Sequence, residues 1–173
     1  MNTITKTLII LIVFFLFLFG SCKEKVTSPE MQPTGLLMNY EGCKTFASAS
    51  STESSFHSGN AECFEYQYDG QGQLILKHIN SGFNCCPGKI DADISLSGNL
   101  IYIEEREQEQ GCYCRCLFDV DYQIYDLKPG TYTLELKGPY VDETDERLRF
   151  DIELYGPCSG TFCVLRNHYP WSG

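Results

Sequence analysis

Positive charge is scarce in this chain: 13 Lys and Arg stand against 23 Asp and Glu in 173 residues, a net charge of −10. Nucleic acid and anionic lipid surfaces would repel such a protein, which excludes both as main partners. The familiar catalytic signatures are also missing. There is no Gly-x-Ser-x-Gly elbow, no phosphate-binding glycine loop and no His-Glu-x-x-His pair. No segment sustains a 3.6-residue hydrophobic period, which argues against helices, and only one long apolar run occurs.

That run lies at the N-terminus. Lys6 precedes "LIILIVFFLFLF", Leu8 to Phe19, and the small residues Gly20 and Ser21 lead to Cys22. A spanning helix needs about 20 apolar residues, so the run is too short to cross a bilayer comfortably. Residues 1–21 therefore read as a signal peptide for export.

The stretch Leu18, Phe19, Gly20, Ser21, Cys22 resembles a bacterial lipoprotein box of the relaxed Bacteroidota type. The resemblance implies cleavage before Cys22, lipidation of that cysteine and palmitate-type acyl chains that anchor the protein in the membrane. Phe19 stands where the usual leucine would be, and the other reading of these residues is an ordinary signal peptide with Cys22 in a disulfide. Three acyl chains hold far more firmly than the marginal grip of one. The expected location is the outer membrane of a Gram-negative bacterium, facing the periplasm or the cell surface, where disulfides persist.

The leader holds one of the basic residues, Lys6, so the remainder is net −11. Its roughly 150 residues suffice for one domain with one core. Residues 22–60 contain "KEKVTSPEMQPTG" and "SASSTESSFHSGN", too polar to order themselves, and read as a tether. Between these tracts "LLMNYEGCKTF" offers one edge strand, and His57 in the second tract is expected to be solvated. Residues 61–173 form the expected domain.

Period two dominates that domain. Leu74, Leu76 and His78 alternate with Gln73, Ile75 and Lys77, and Ile90, Ala92, Ile94 and Leu96 with Asp91, Asp93 and Ser95. Tyr132, Leu134 and Leu136, and then Leu148, Phe150, Ile152 and Leu154, repeat the pattern. Each is a strand with one buried face. "DGQGQ", "LSGN", "LKPG" and "YGPCSG" supply turns at sandwich or barrel spacing.

"DLKPGTYTLEL", Asp126 to Leu136, resembles the corner and strand of immunoglobulin-like and prealbumin-like sandwiches. The likeness implies an all-β, antiparallel β-sandwich with Tyr132 as a core residue bonding back to the corner. "ILKHINSGFNCCPGKIDADI", "CYCRCLFDVDYQIYDLKPGTYTL" and "FCVLRNHYPW" are together similar to small Bacteroidota lipoproteins, a likeness that implies no particular activity.

The cysteines are the remaining signal. Beyond Cys22 there are Cys43, Cys63, Cys85, Cys86, Cys112, Cys114, Cys116, Cys158 and Cys163, an odd number. At least one is free, intermolecular or a metal ligand. "CYCRCLFDV" would set Cys112, Cys114 and Cys116 on the strand face of Phe118, Val120, Tyr122 and Ile124, continuing the buried face. Residues two apart on a strand are roughly 6.5 to 7 Å apart with parallel side chains, so these cysteines need partners elsewhere.

One allocation joins Cys43 to Cys63 and Cys158 to Cys163, leaving Cys85, Cys86, Cys112, Cys114, Cys116 and His78 at one end of the sandwich. Disulfides from Cys85 and Cys86 to two of the three strand cysteines are the default for a small exported domain. A second reading is a soft-metal site for Zn or Cu on the thiolates and His78, although the spacing lacks the Cys-x-x-Cys knuckle. A third is thiol redox chemistry, for which no helix N-terminus is in view.

The acidic stretches Glu104 to Gln110 and Val141 to Arg147 read as solvated loops between strands. "RNHYPW", Arg166 to Trp171, is expected to pack its tryptophan on the domain and leave His168 exposed. The expectation is a lipid-anchored envelope protein, a binding or structural module without catalytic residues. Its partners are the membrane through the anchor and a protein or glycan. No cofactor is expected unless the sulfur cluster holds Zn or Cu.

Overall fold

A computed structural model of the chain describes residues 33–44, 59–109 and 112–171. The segment expected to be a signal peptide, Cys22, His57 and most of the expected tether lie outside the described residues. Among the described residues there is no helix, and nine strands account for most of them. They are β1 (Thr34–Gly42), β2 (Ala61–Tyr68), β3 (Leu74–Asn84), β4 (Pro87–Ser97), β5 (Leu100–Glu109), β6 (Arg115–Tyr125), β7 (Gly130–Lys137), β8 (Leu148–Leu154) and β9 (Cys158–Leu165).

The strands form two sheets, β1-β6-β3-β2-β9 and β4-β5-β7-β8. All pairings are antiparallel except β5 with β7, which run parallel because β6 intervenes in the other sheet. Alternating side chains from the two inner faces make the core, as in a β-sandwich. Phe64, Leu74, Leu76, Val120 and Tyr122 from one sheet meet Ile101, Ile103, Leu134, Ile152 and Leu154 from the other. The expected edge strand is β1, which pairs only with β6.

The inward phases read from the sequence hold in β3, β4, β6, β7 and β8. Tyr132 is buried, and its hydroxyl donates to the Lys128 carbonyl at 2.8 Å. The corner that precedes β7 is thereby tied to its own strand. Glu104–Glu109 is not a loop but the second half of β5, and Glu105 within it is fully buried.

Strand direction sorts the connections between two ends. At one end are the β2–β3 turn, the two-residue β4–β5 hairpin where Gly98 adopts a φ of 59°, the Tyr132 corner and the β8–β9 turn. At the other end are the β3–β4 and β5–β6 crossings, the β7–β8 loop, the end of β1 and the C-terminal tail.

Candidate functional site

That second end gathers eight cysteines. Four pairs stand at disulfide distance: Cys43–Cys116, Cys63–Cys163, Cys85–Cys114 and Cys86–Cys112, with Cα separations of 5.1, 4.1, 5.5 and 5.8 Å. The joining of Cys85 and Cys86 to the Cys-x-Cys-x-Cys segment follows the default reading. The allocation of Cys43 to Cys63 and of Cys158 to Cys163 is wrong. Cys63 and Cys163 lie directly opposite one another on β2 and β9, and β1 ends beside the start of β6, which brings Cys43 to Cys116. Cys158, at the opposite end of the domain, is the free cysteine among the described residues.

A second correction concerns the face. Strand β6 begins at Arg115, so Cys112 and Cys114 precede it, and Cys114 is exposed. Cys112 and Cys114 thus rim the sandwich end, whereas Cys116, within β6, keeps the expected phase and packs against the core. Cys43, Cys85 and Cys116 hold sulfur atoms within 4.8 Å of one another, as members of two disulfides.

His78 does point inward, but away from the metal role considered for it. Its Nδ1 lies 2.8 Å from Glu105 Oε1 and its Nε2 3.0 Å from Glu62 Oε1, all three side chains being buried. Burial alone would push its pKa down, but the neighbouring carboxylates of Glu105 and Glu62 more than offset this and raise it to about 9. At neutral pH both ring nitrogens therefore donate. Glu105 also accepts from the Tyr122 hydroxyl and from Ser81 Oγ, at 2.6 Å in the latter case. Burial first, and Glu105 second, hold the Tyr122 phenol well above its ordinary pKa.

Arg166 completes the chain of charges. Its Nε donates to Glu62 Oε2 at 2.5 Å, its Nη2 pairs with the same oxygen, and its Nη1 donates to the Glu146 carbonyl at 2.5 Å. Two acids and two bases thus neutralise each other in the interior, at residues from β2, β3, β5 and the tail. Breaking such a set is costly, because any survivor is left charged and unpaired in a low dielectric. The network links the two sheets and anchors the tail, and all its groups are closed to solvent.

Above it, Trp171 packs on Gly82, where an added Cβ would come within 3.0 Å of the indole, and donates from Nε1 to the Asn80 carbonyl at 2.7 Å. The tryptophan packs as expected. His168 does not stand exposed: it is half-buried, edge-on to Trp171, with Nε2 2.9 Å from Asp145.

One open feature at this end is a groove of about 460 Å³ lined by Asn84, Cys112, Tyr113, Cys114, Arg115, Tyr140 and Tyr169. Tyr113 is fully exposed and sits between two disulfide-bonded cysteines. The tip is braced further by Cys85 N donating to the Cys114 carbonyl and Asn84 Nδ2 to the Cys112 carbonyl. The Tyr169 hydroxyl bridges the backbone N–H and carbonyl of Arg115, each at 2.6 Å. Tyr140 donates to Glu107, and its pKa is pushed up to about 12 by burial and by that carboxylate. The Arg115 guanidinium lies 3.8 Å above the Tyr140 ring, at cation–π distance.

Comparison with known families, curated proteins and solved structures found no match to this chain. The groove and the buried charge network were both missed in the sequence. The network had a usable signal: Glu105 continues the inward phase of Ile101 and Ile103, and Glu62 shares the phase of Phe64.

Proposed function

We propose that this chain is an exported, lipid-anchored protein of the Bacteroidota outer-membrane type, whose β-sandwich presents a binding surface at its disulfide-framed end. The leader, the lipoprotein-box residues and the disulfides support export and anchoring through Cys22. The observation that carries the binding reading is Tyr113: a large aromatic, wholly exposed, on a tip stapled by Cys85–Cys114 and Cys86–Cys112. A rigid aromatic loses little entropy on binding, and tyrosine with arginine is the composition of interface hot spots.

The anchor is tested by fractionation. Cys22→Ser should release the chain from membranes, and retention would contradict the lipoprotein reading. The binding surface is tested by co-sedimentation of the released protein with envelope fragments. Tyr113→Ala should abolish co-sedimentation at an unchanged melting temperature; undiminished co-sedimentation would defeat this reading.

The alternative is a soft-metal or thiol-redox protein using Cys85, Cys86, Cys112, Cys114 and Cys116. The approach of the Cys43, Cys85 and Cys116 sulfurs favours it. It requires thiolates, hence reduction of at least two disulfides, and elemental analysis after reduction with added Zn or Cu tests it.

A further inference from the structure

The groove's charge and its spent hydrogen bonds narrow what it can hold. Among the described residues every other arginine is ion-paired: Arg106 with Asp93, Arg147 and Arg149 with Glu135, Arg166 with Glu62. Arg115 has no carboxylate within ion-pair distance among the described residues. Glu107, the acid lining the same region, is occupied by the Tyr140 hydroxyl and by the Asn84 N–H. An uncompensated guanidinium on a strongly acidic protein is a local site for an anion. Tyr140 covers one face and its hydroxyl is also in side-chain hydrogen-bond contact with the guanidinium, so the remaining N–H groups are those that can meet a carboxylate.

Several of the groove's other polar groups are already bonded within the protein. The Arg115 backbone N–H and carbonyl are bridged by Tyr169, the Cys114 carbonyl accepts from Cys85 and the Cys112 carbonyl from Asn84. The Asn84 amide is used at both ends, its oxygen accepting from the Cys86 N–H. An extended peptide recognised through its main chain needs a free ladder of such groups. The groove's most exposed features are the aromatic surfaces of Tyr113 and Tyr169 and the guanidinium edge. A pyranose ring carrying a carboxylate matches this set: its C–H face covers a tyrosine ring while its acid meets the arginine. The groove volume is within the range of small-ligand sites.

We infer that the groove binds a carboxylate-bearing glycan, a uronic-acid chain or its equivalent, with Arg115 holding the acid and Tyr113 and Tyr169 stacking on the sugar. This rests on the binding reading above and specifies its ligand class. The test uses the exported chain with Cys22→Ser, titrated calorimetrically with oligogalacturonate, with the neutral galactan oligomer of equal length and with poly-glutamate.

Oligogalacturonate should bind at least tenfold more tightly than either comparison, and more weakly as salt rises. Arg115→Gln and Tyr113→Ala should each weaken it at least tenfold at unchanged melting temperature, whereas Lys77→Gln, removing the same charge elsewhere, should not. Equal binding of the neutral oligomer, preference for poly-glutamate, binding that survives Arg115→Gln, or no binding of the uronate would each overturn the inference. Should these fail while co-sedimentation still depends on Tyr113, the ligand class is wrong and the binding surface stands.

Discussion

At one end of the sandwich the chain turns on local chemistry; at the other it is held by cross-links between residues far apart in sequence. The first end uses the Asp69 carboxylate, which accepts from the N–H groups of Gln71 and Gln73, and the Tyr132 hydroxyl, which reaches back four residues. The second uses disulfides spanning 26 to 100 residues and an ion network joining Glu62 to Arg166. Local turns suffice where strands need only reverse. The second end must hold two sheet crossings, a long loop and a tail in one arrangement, and it is the end that carries the exposed aromatic groove.

This contrast can be broken most severely by reduction. Removing all four disulfides should destabilise the domain by several kcal/mol, with Cys63–Cys163 contributing the most, about 4 to 5 kcal/mol from its 100-residue separation. Urea unfolding with and without reductant measures this. An unchanged midpoint would show that the staples are not structural. Cys158→Ser, at the other end, should shift the midpoint by less than about 0.5 kcal/mol.

Next in size is the ion network. Arg166→Met leaves Glu62 without its arginine in the interior and should cost about 3 to 5 kcal/mol. A loss below about 1 kcal/mol would mean that the network is solvated in solution.

The pH dependence follows from His78. Its folded pKa of about 9 exceeds the ordinary 6.5, so the folded state holds the proton more tightly than the unfolded chain. The resulting stability, on the order of 3 kcal/mol, is fully present below about pH 6.5 and is lost as pH rises through about 9. Unfolding midpoints measured from pH 6 to 9.5, in a Cys158→Ser background to prevent thiol exchange, should fall. The His78→Gln protein should show a flatter profile.

The smallest effect belongs to the local end. Tyr132→Phe keeps the ring and loses the bond to Lys128, a cost of about 1 kcal/mol. A loss rivalling that of Arg166→Met would erase the distinction between the ends.

Legibility in the sequence divides along the same line. Period two exposes a buried strand face wherever it is apolar, and "LKPGTY" carries its corner chemistry within six residues. Long-range pairings were hidden because they depend on strand order: nothing local places Cys63 opposite Cys163. Glu105 was read as part of a solvated loop, and Glu62 and Arg166 were given no partner, because a buried charge resembles a surface charge until its partner is known. Arg115 sat within a segment read for its sulfur, and its place in the groove lining and its stacking on Tyr140 emerge only in three dimensions.

The most direct test is peptide mapping of the exported protein, alkylated without reductant, with and without prior chelation. The account predicts Cys43–Cys116, Cys63–Cys163, Cys85–Cys114 and Cys86–Cys112 linked and Cys158 alone alkylated among these nine. Alkylation of Cys85, Cys86, Cys112, Cys114 and Cys116, or their release only by chelator, would contradict a disulfide-framed groove and point to a thiolate site.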